Sequence, residues 1–180
     1  MEIHVQNIVA SISTDQQFDL DMIHEKVSGS EYSPEKFPGL IYKLKEPKTA
    51  LLIFKSGKLV CTGAKTVEKV YEAVDKVRKK LAEIGMEVIK DPKIAVQNIV
   101  ATSDLKKEIN LNTIAITLGL ENVEYEPEQF PGLVYRVKDP RAVALLFGTG
   151  KVVCTGTKDI KDIEKALSKI EAELTNANLI

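Results

Sequence analysis

The chain says nearly the same thing twice, at a spacing too long for a solenoid. Val5-Gln6-Asn7-Ile8-Val9-Ala10 returns intact as Val96-Gln97-Asn98-Ile99-Val100-Ala101. The stretch from Glu31 to Leu40 returns as Glu124 to Leu133, and Phe54 to Lys65 returns as Phe147 to Lys158. The offset is 91 at the first block and 93 at the other two, so the second copy carries a two-residue insertion, most simply in a loop. Solenoid repeats have periods of roughly 20 to 50 residues. A longer period describes a half-domain duplicated and fused, here 1–90 and 91–180, with an internal two-fold. A two-fold binder suits a ligand that is itself two-fold, and a DNA duplex is the commonest of these.

Bulk properties narrow the class. A 180-residue chain with 44% hydrophobic residues can bury one or two modest cores. No apolar run approaches the roughly 18 residues of a membrane span. The N-terminus lacks the basic flank and apolar core of a signal peptide, so a cytoplasmic location is expected. The basic residues split 14 to 11 between the halves and the acids 13 to 13, which leaves charges of +1 and −2. Bulk basicity is therefore absent, and any nucleic-acid binding must rest on local placement of charge or on apolar contact.

Each half reads in one order. A strand comes first (Ile3 to Ser11; Ile94 to Thr102). A short helix follows, with Leu20, Ile23 and Val27 on one face, or Leu111, Ile114 and Leu118 in the copy. Three or four short strands come next, broken at Pro34, Pro38-Gly39, Glu46-Pro47 and Ser56-Gly57 and at the matching positions of the copy. Ala50 to Phe54 and Lys58 to Thr62 form a hairpin. A long helix closes each half, capped by Thr66 or Asp159, and Gly85 ends the first of them. Gly85 to Pro92 is the linker. Such an order implies an α+β fold, an antiparallel sheet with helices on one face.

The uncovered face of such a sheet should be polar. Here both parities of the strands are apolar: Lys58, Val60 and Thr62 against Leu59 and Cys61, and Ala50, Leu52 and Phe54 against Leu51 and Ile53. An exposed apolar face of this size calls for a partner.

No chemistry-bearing constellation competes with that reading. Gly57 to Thr66 superficially suggests a phosphate loop, but Ala64 separates Gly63 from Lys65 and the copy lacks the Ser/Thr. Cys61 and Cys154 sit inside strands and read as small buried hydrophobes. His4 and His24 have no repeat partner and read as surface or structural. No catalytic residue, metal site or cofactor is expected.

In order and in duplicate, Gln6-Asn7-Ile8-Val9 with its copy, Phe130 to Arg136, and Ser56-Gly57-Lys58 through Thr62-Gly63-Ala64-Lys65 resemble the TATA-box-binding protein family, archaeal type. The resemblance spans nearly the whole chain. It implies a pseudo-two-fold saddle: one curved antiparallel sheet of about ten strands, four helices on its convex face, and the minor groove of DNA against the concave one. Wedged side chains and a kink of about 80° belong to that family. By the match, Phe37 with Phe54 and Phe130 with Phe147 are the wedges. Asn7, Asn98, Val9, Val100, Val60, Val153, Thr62, Thr155, Leu52, Leu145, Pro38 and Pro131 face the base edges, with the two Asn near the pseudo-dyad. Lys43, Arg136, Lys58, Lys151, Lys65 and Lys158 neutralise phosphates.

The resemblance also implies partners. The second loop docks transcription factor B, here through Glu126 and Glu128, and so recruits RNA polymerase to the pre-initiation complex. This chain has Gln129 where the family often has Leu, and Gly148 where the first half has Lys55. Glu31 and Glu35 read as surface. Homodimerisation off DNA through the apolar face is left open. The rival reading is a saddle module used for protein or RNA docking without TATA specificity.

Overall fold

The computed structural model describes residues 1–88 and 91–180. Ile89 and Lys90, inside the expected linker and at the end of the first repeat, lie outside the described residues. The named elements are β1 (His4–Ser13), α1 (Leu20–Lys26), β2 (Leu40–Leu44), β3 (Thr49–Ile53), β4 (Lys58–Ala64) and α2 (Val67–Glu83), then β5 (Lys93–Asp104), α3 (Leu111–Leu118), β6 (Val123–Glu124), β7 (Leu133–Lys138), β8 (Arg141–Leu146), β9 (Lys151–Thr157) and α4 (Ile160–Asn176).

Two compact units divide the chain, Asn7–Gln97 and Met1–Gln6 with Asn98–Ile180. In the first, the strands run β2-β3-β4-β1, with residues 93–97 of β5 alongside. Gln97 Nε2 donates to Ser11 Oγ there at 2.9 Å. In the second they run β6-β7-β8-β9-β5, with residues 4–6 of β1 alongside, and Gln6 Nε2 donates to Thr102 Oγ1 at 3.0 Å. Each unit therefore takes the opening residues of the other repeat's first strand. The ladders β1–β4, β2–β3, β3–β4, β5–β9, β6–β7, β7–β8 and β8–β9 are antiparallel.

Nine strands are named among the described residues. The near-identical Glu31 and Glu124 segments differ here: Glu31 makes one isolated bridge to Ile41, whereas Val123–Glu124 pairs with β7 over two residues.

Alternation along the strands sets the core. Ile8, Ala10 and Ile12 of β1, Leu51 and Ile53 of β3, and Leu59 and Cys61 of β4 are buried on one face. The copies Ile99, Ala101, Ala144, Leu146, Val152 and Cys154 are buried likewise. Helices cover that face. Ile23 of α1, Leu40, Ile53, and Val77 and Leu81 of α2 surround one small void, and α4 buries Ile163, Leu167, Ile170 and Leu174 in the other unit. Burial pushes both thiols up to about 11, so Cys61 and Cys154 stay protonated at neutral pH. They are free thiols packed as small hydrophobes.

Helix ends follow the expected caps. Thr66 Oγ1 accepts from Lys69 N at 3.1 Å and Asp159 Oδ1 from Lys161 N at 2.9 Å. Beyond α2, Gly85 takes φ +87°. The two extra residues of the second repeat fall between the start of α3 and the start of β6, where the helix is one residue longer than α1 and the loop behind it is longer too.

Candidate nucleic-acid interface

The second face of each strand set is half-exposed, which a helix layer would not allow. In the unit Asn7–Gln97 the register builds one rung from Ile41, Leu52, Val60 and Ser11, and a neighbouring one from Lys43, Ala50 and Thr62. In the other unit the rungs are Val134, Leu145, Val153 and Thr102, and Arg136, Val143 and Thr155. Val9 and Val100 are half-exposed with the same alternation. The sequence-predicted Leu52, Val60, Thr62 and their copies thus share one face in each unit, and a cation ends a rung in both.

A polar clamp sits beside each floor. Asn7 Nδ2 donates to Thr62 Oγ1 at 3.1 Å, and its Oδ1 accepts the Gly63 N–H at 2.6 Å. In the copy the distances are 3.0 Å from Asn98 Nδ2 to Thr155 Oγ1 and 2.9 Å from Gly156 N to Asn98 Oδ1. A backbone N–H can only donate, so it fixes which carboxamide atom is the oxygen. One proton of each Asn amide meets Thr, and the other has no acceptor among the described residues. Gly63 and Gly156 take φ of +99° and +93° where the ladder shifts register opposite Ile8/Ala10 and Ile99/Ala101. The glycine at this bulge turns its amide toward the Asn.

The four rings stand in two pairs. Phe37 and Phe54 have centroids 5.8 Å apart at 66°, and Phe130 and Phe147 are 6.0 Å apart at 66°. Edge-to-face contact is the favoured geometry for such rings. Phe37 and Phe130 are 37% and 39% exposed, whereas Phe18, a core ring, is 3% exposed. Gly39 and Gly132 make the pairing possible. A Cβ on Gly39 would lie 2.7 Å from Phe37 Cε2 and 3.0 Å from Phe54 Cε1, and a Cβ on Gly132 would meet Phe130 and Phe147 at the same two distances. Pro38 and Pro131 are exposed between ring and glycine.

The cations are exposed. Lys58 shares the parity of Val60 and Thr62, and Lys151 that of Val153 and Thr155. Lys65 and Lys158 lie past the glycine shifts. Among the described residues, Lys43, Lys58, Lys65, Lys151 and Lys158 make no ion pair. Arg136 Nε lies 3.5 Å from Glu124 Oε1, both side chains more than half exposed, and such a pair is weak enough to yield to a phosphate. Glu126 and Glu128 are exposed in the turn before Phe130, whose N–H bonds to Glu126 O. Among the described residues no group of three or more His, Cys, Asp or Glu could hold a metal ion, and no helix is long and apolar enough to cross a membrane.

Sequence reasoning placed Ala50 on this face but missed Ile41, Val134, Val143, Ser11 and Thr102, which complete the rungs. The signal was present, since Ile41 and Val134 lie two residues before the predicted Lys43 and Arg136. It also passed over Gln6 and Gln97, although both lie in the repeated hexamer.

Fold and site together define a duplicated binding protein, with two matched apolar strand faces that each carry an amide donor and a ring pair. The family model for transcription factor TFIID, or TATA-binding protein, matches residues 2–84 and 93–177. The TATA-box-binding protein of Thermoplasma acidophilum is 58% identical over 99% of this chain and 97% of its own. That of Archaeoglobus fulgidus is 52% identical over 99% and 98%. Among solved structures, Methanococcus jannaschii TBP superposes with a TM-score of 0.89 at 49% identity, over 98% of this chain and 99% of that one. The chain belongs to the TATA-box-binding protein family, and it has that family's fold.

Proposed function

We propose that this chain is a general transcription initiation factor that binds TATA-box DNA in the minor groove and bends it. The repeats 1–90 and 91–180 supply two matched half-sites, and the chain acts by binding rather than by catalysis. At A·T pairs the minor groove offers acceptors, N3 of A and O2 of T, and at G·C pairs the guanine amine protrudes. A floor of Leu52, Val60, Leu145, Val153, Val9 and Val100 accommodates the smooth A·T edge. It leaves the guanine amine without an acceptor, at about 1–3 kcal/mol. Asn7 and Asn98, with Thr62 and Thr155, donate to the acceptors. The observation that carries this reading is the pair of Asn–Gly clamps, which spend the carboxamide oxygen on the backbone and leave a donor on each apolar face.

The ring pairs wedge into base steps, replacing part of the stacking they disrupt, and soft TA steps take the kink most easily. Lys43, Lys58, Lys65, Lys151, Lys158 and Arg136 neutralise phosphates. Glu126 and Glu128 dock transcription factor B, which brings RNA polymerase to the promoter. The protein works on the nucleoid in the cytoplasm.

A gel shift tests the specificity. Each A·T pair replaced by G·C within the TATA element weakens binding by about tenfold to 100-fold. Equal affinity for TATA and G·C duplexes contradicts the reading and favours a docking module. Six phosphate contacts also predict that log K falls with log salt at a slope of about −5. In Lys58→Gln with Lys151→Gln, a salt titration reads a slope shallower by about 2.

A further inference from the structure

The second repeat carries an exposed apolar pair that the first lacks. Ile116, in the last turn of α3, and Leu120, just past the glycine that ends the helix, are 84% and 83% exposed. At the repeat offset of 91, which holds along the helix, Ile116 matches Glu25, whereas Leu120 lies where the offset changes and has no fixed match. The shared fold therefore does not require the pair, and Leu120 sits in the stretch that holds the two inserted residues. One exposed apolar residue is ordinary, but four residues of chain keep Ile116 and Leu120 within about 14 Å of each other, close enough for both to meet one partner.

Charge beside the patch differs in the same direction. From Ile116 to Gln129 the chain has four Glu and no Lys or Arg, whereas Glu25 to Lys36 has three Glu and two Lys. Arg136 holds Glu124. Glu121, Glu126 and Glu128 are exposed and make no ion pair among the described residues. Fully extended, the chain from Leu120 to Glu128 spans at most about 29 Å. A standard contact patch of about 800 Å² is roughly 30 Å across, so both ends fit within one footprint.

We infer that Ile116 and Leu120, together with Glu121, Glu126 and Glu128, form one docking face for a partner protein that presents basic side chains around an apolar contact. The inference rests on the reading above, in which Glu126 and Glu128 meet transcription factor B, and it extends that factor's footprint onto α3. Gln129 offers no apolar anchor in the loop, and Ile116 and Leu120 supply one. The acids steer the encounter, and the apolar pair holds the complex once water is excluded. A second copy of this chain would bring the same acids against these, which disfavours self-pairing through this face.

The test titrates transcription factor B from the same source onto the full chain bound to TATA DNA, read by fluorescence anisotropy. Ile116→Ser with Leu120→Ser weakens factor binding by about 30-fold and leaves TATA affinity unchanged. Glu126→Lys with Glu128→Lys weakens it as well. If only the charge reversal weakens binding, the extension onto α3 is overturned and the loop reading stands. If neither variant does, or if the wild-type complex fails to form, both fall. A dimer abolished by the serine pair without the factor overturns the inference in favour of a second copy.

Discussion

Phe37→Ala combined with Phe54→Ala weakens TATA binding by about 30-fold or more and lessens the bend. A ring stacked on a base contributes about 1–3 kcal/mol on alanine substitution, and this change removes two. The rings are the residues that the hydrophobic effect alone would not leave where they are: Phe37 is more than a third exposed although Leu40, three residues on, is fully buried. Each ring is held by its partner and by the bare Cα of Gly39, so one truncation loosens the other ring. Little core packing is lost, because neither ring belongs to the fully buried set. Competition binding measures the affinity, and thermal melting separates it from stability. A double variant that melts early has lost structure, whereas one that melts normally and binds TATA at wild-type strength contradicts wedging.

Asn98→Asp has an effect of similar size by a different route. The carboxylate still accepts the Gly156 N–H, and Thr155 can turn its hydroxyl to donate, so the strand arrangement survives. What changes is the outward group, which becomes an acceptor bearing a full negative charge. Set against N3 and O2 of the bases and close to phosphates, it costs well over the 1–3 kcal/mol of one unsatisfied group, and affinity falls by about 100-fold or more. Thr155→Val provides the comparison, since it removes a hydroxyl without adding charge and costs less. Equal losses for the two variants would mean that Asn98 does not face acceptors.

The duplication made much of this legible. Two short apolar runs on either side of the Ser56-Gly57 turn placed the β3–β4 hairpin to within two residues, and Thr66 and Asp159 marked their helices because an N-cap is a local signal. The ends of β1 and β5 were not local: both strands run two residues past the predicted Ser11 and Thr102, carried by pairing with partners far along the chain. Ile41 and Val134 were passed over because Leu40 to Leu44 is apolar on both parities until the register separates them. The amide that orients Asn7 lies 56 residues away and reaches it only through the shift in the β1–β4 ladder. No spacing rule in the sequence encodes that contact. Gly39 read as a turn residue, and only the packed rings give its hydrogen a purpose. Ile116 and Leu120 first stood out through their exposure: helical periodicity marks the inward face of α3 and leaves Ile116 unassigned, and Leu120 lies past the glycine that ends the helix.

Energy transfer between dyes at the two ends of a TATA duplex is the most direct measurement of all. Adding the protein at saturating concentration brings the ends together and raises transfer, and the same duplex with G·C pairs in place of TATA shows no rise. A TATA duplex that binds tightly and keeps its free end-to-end distance would contradict the account.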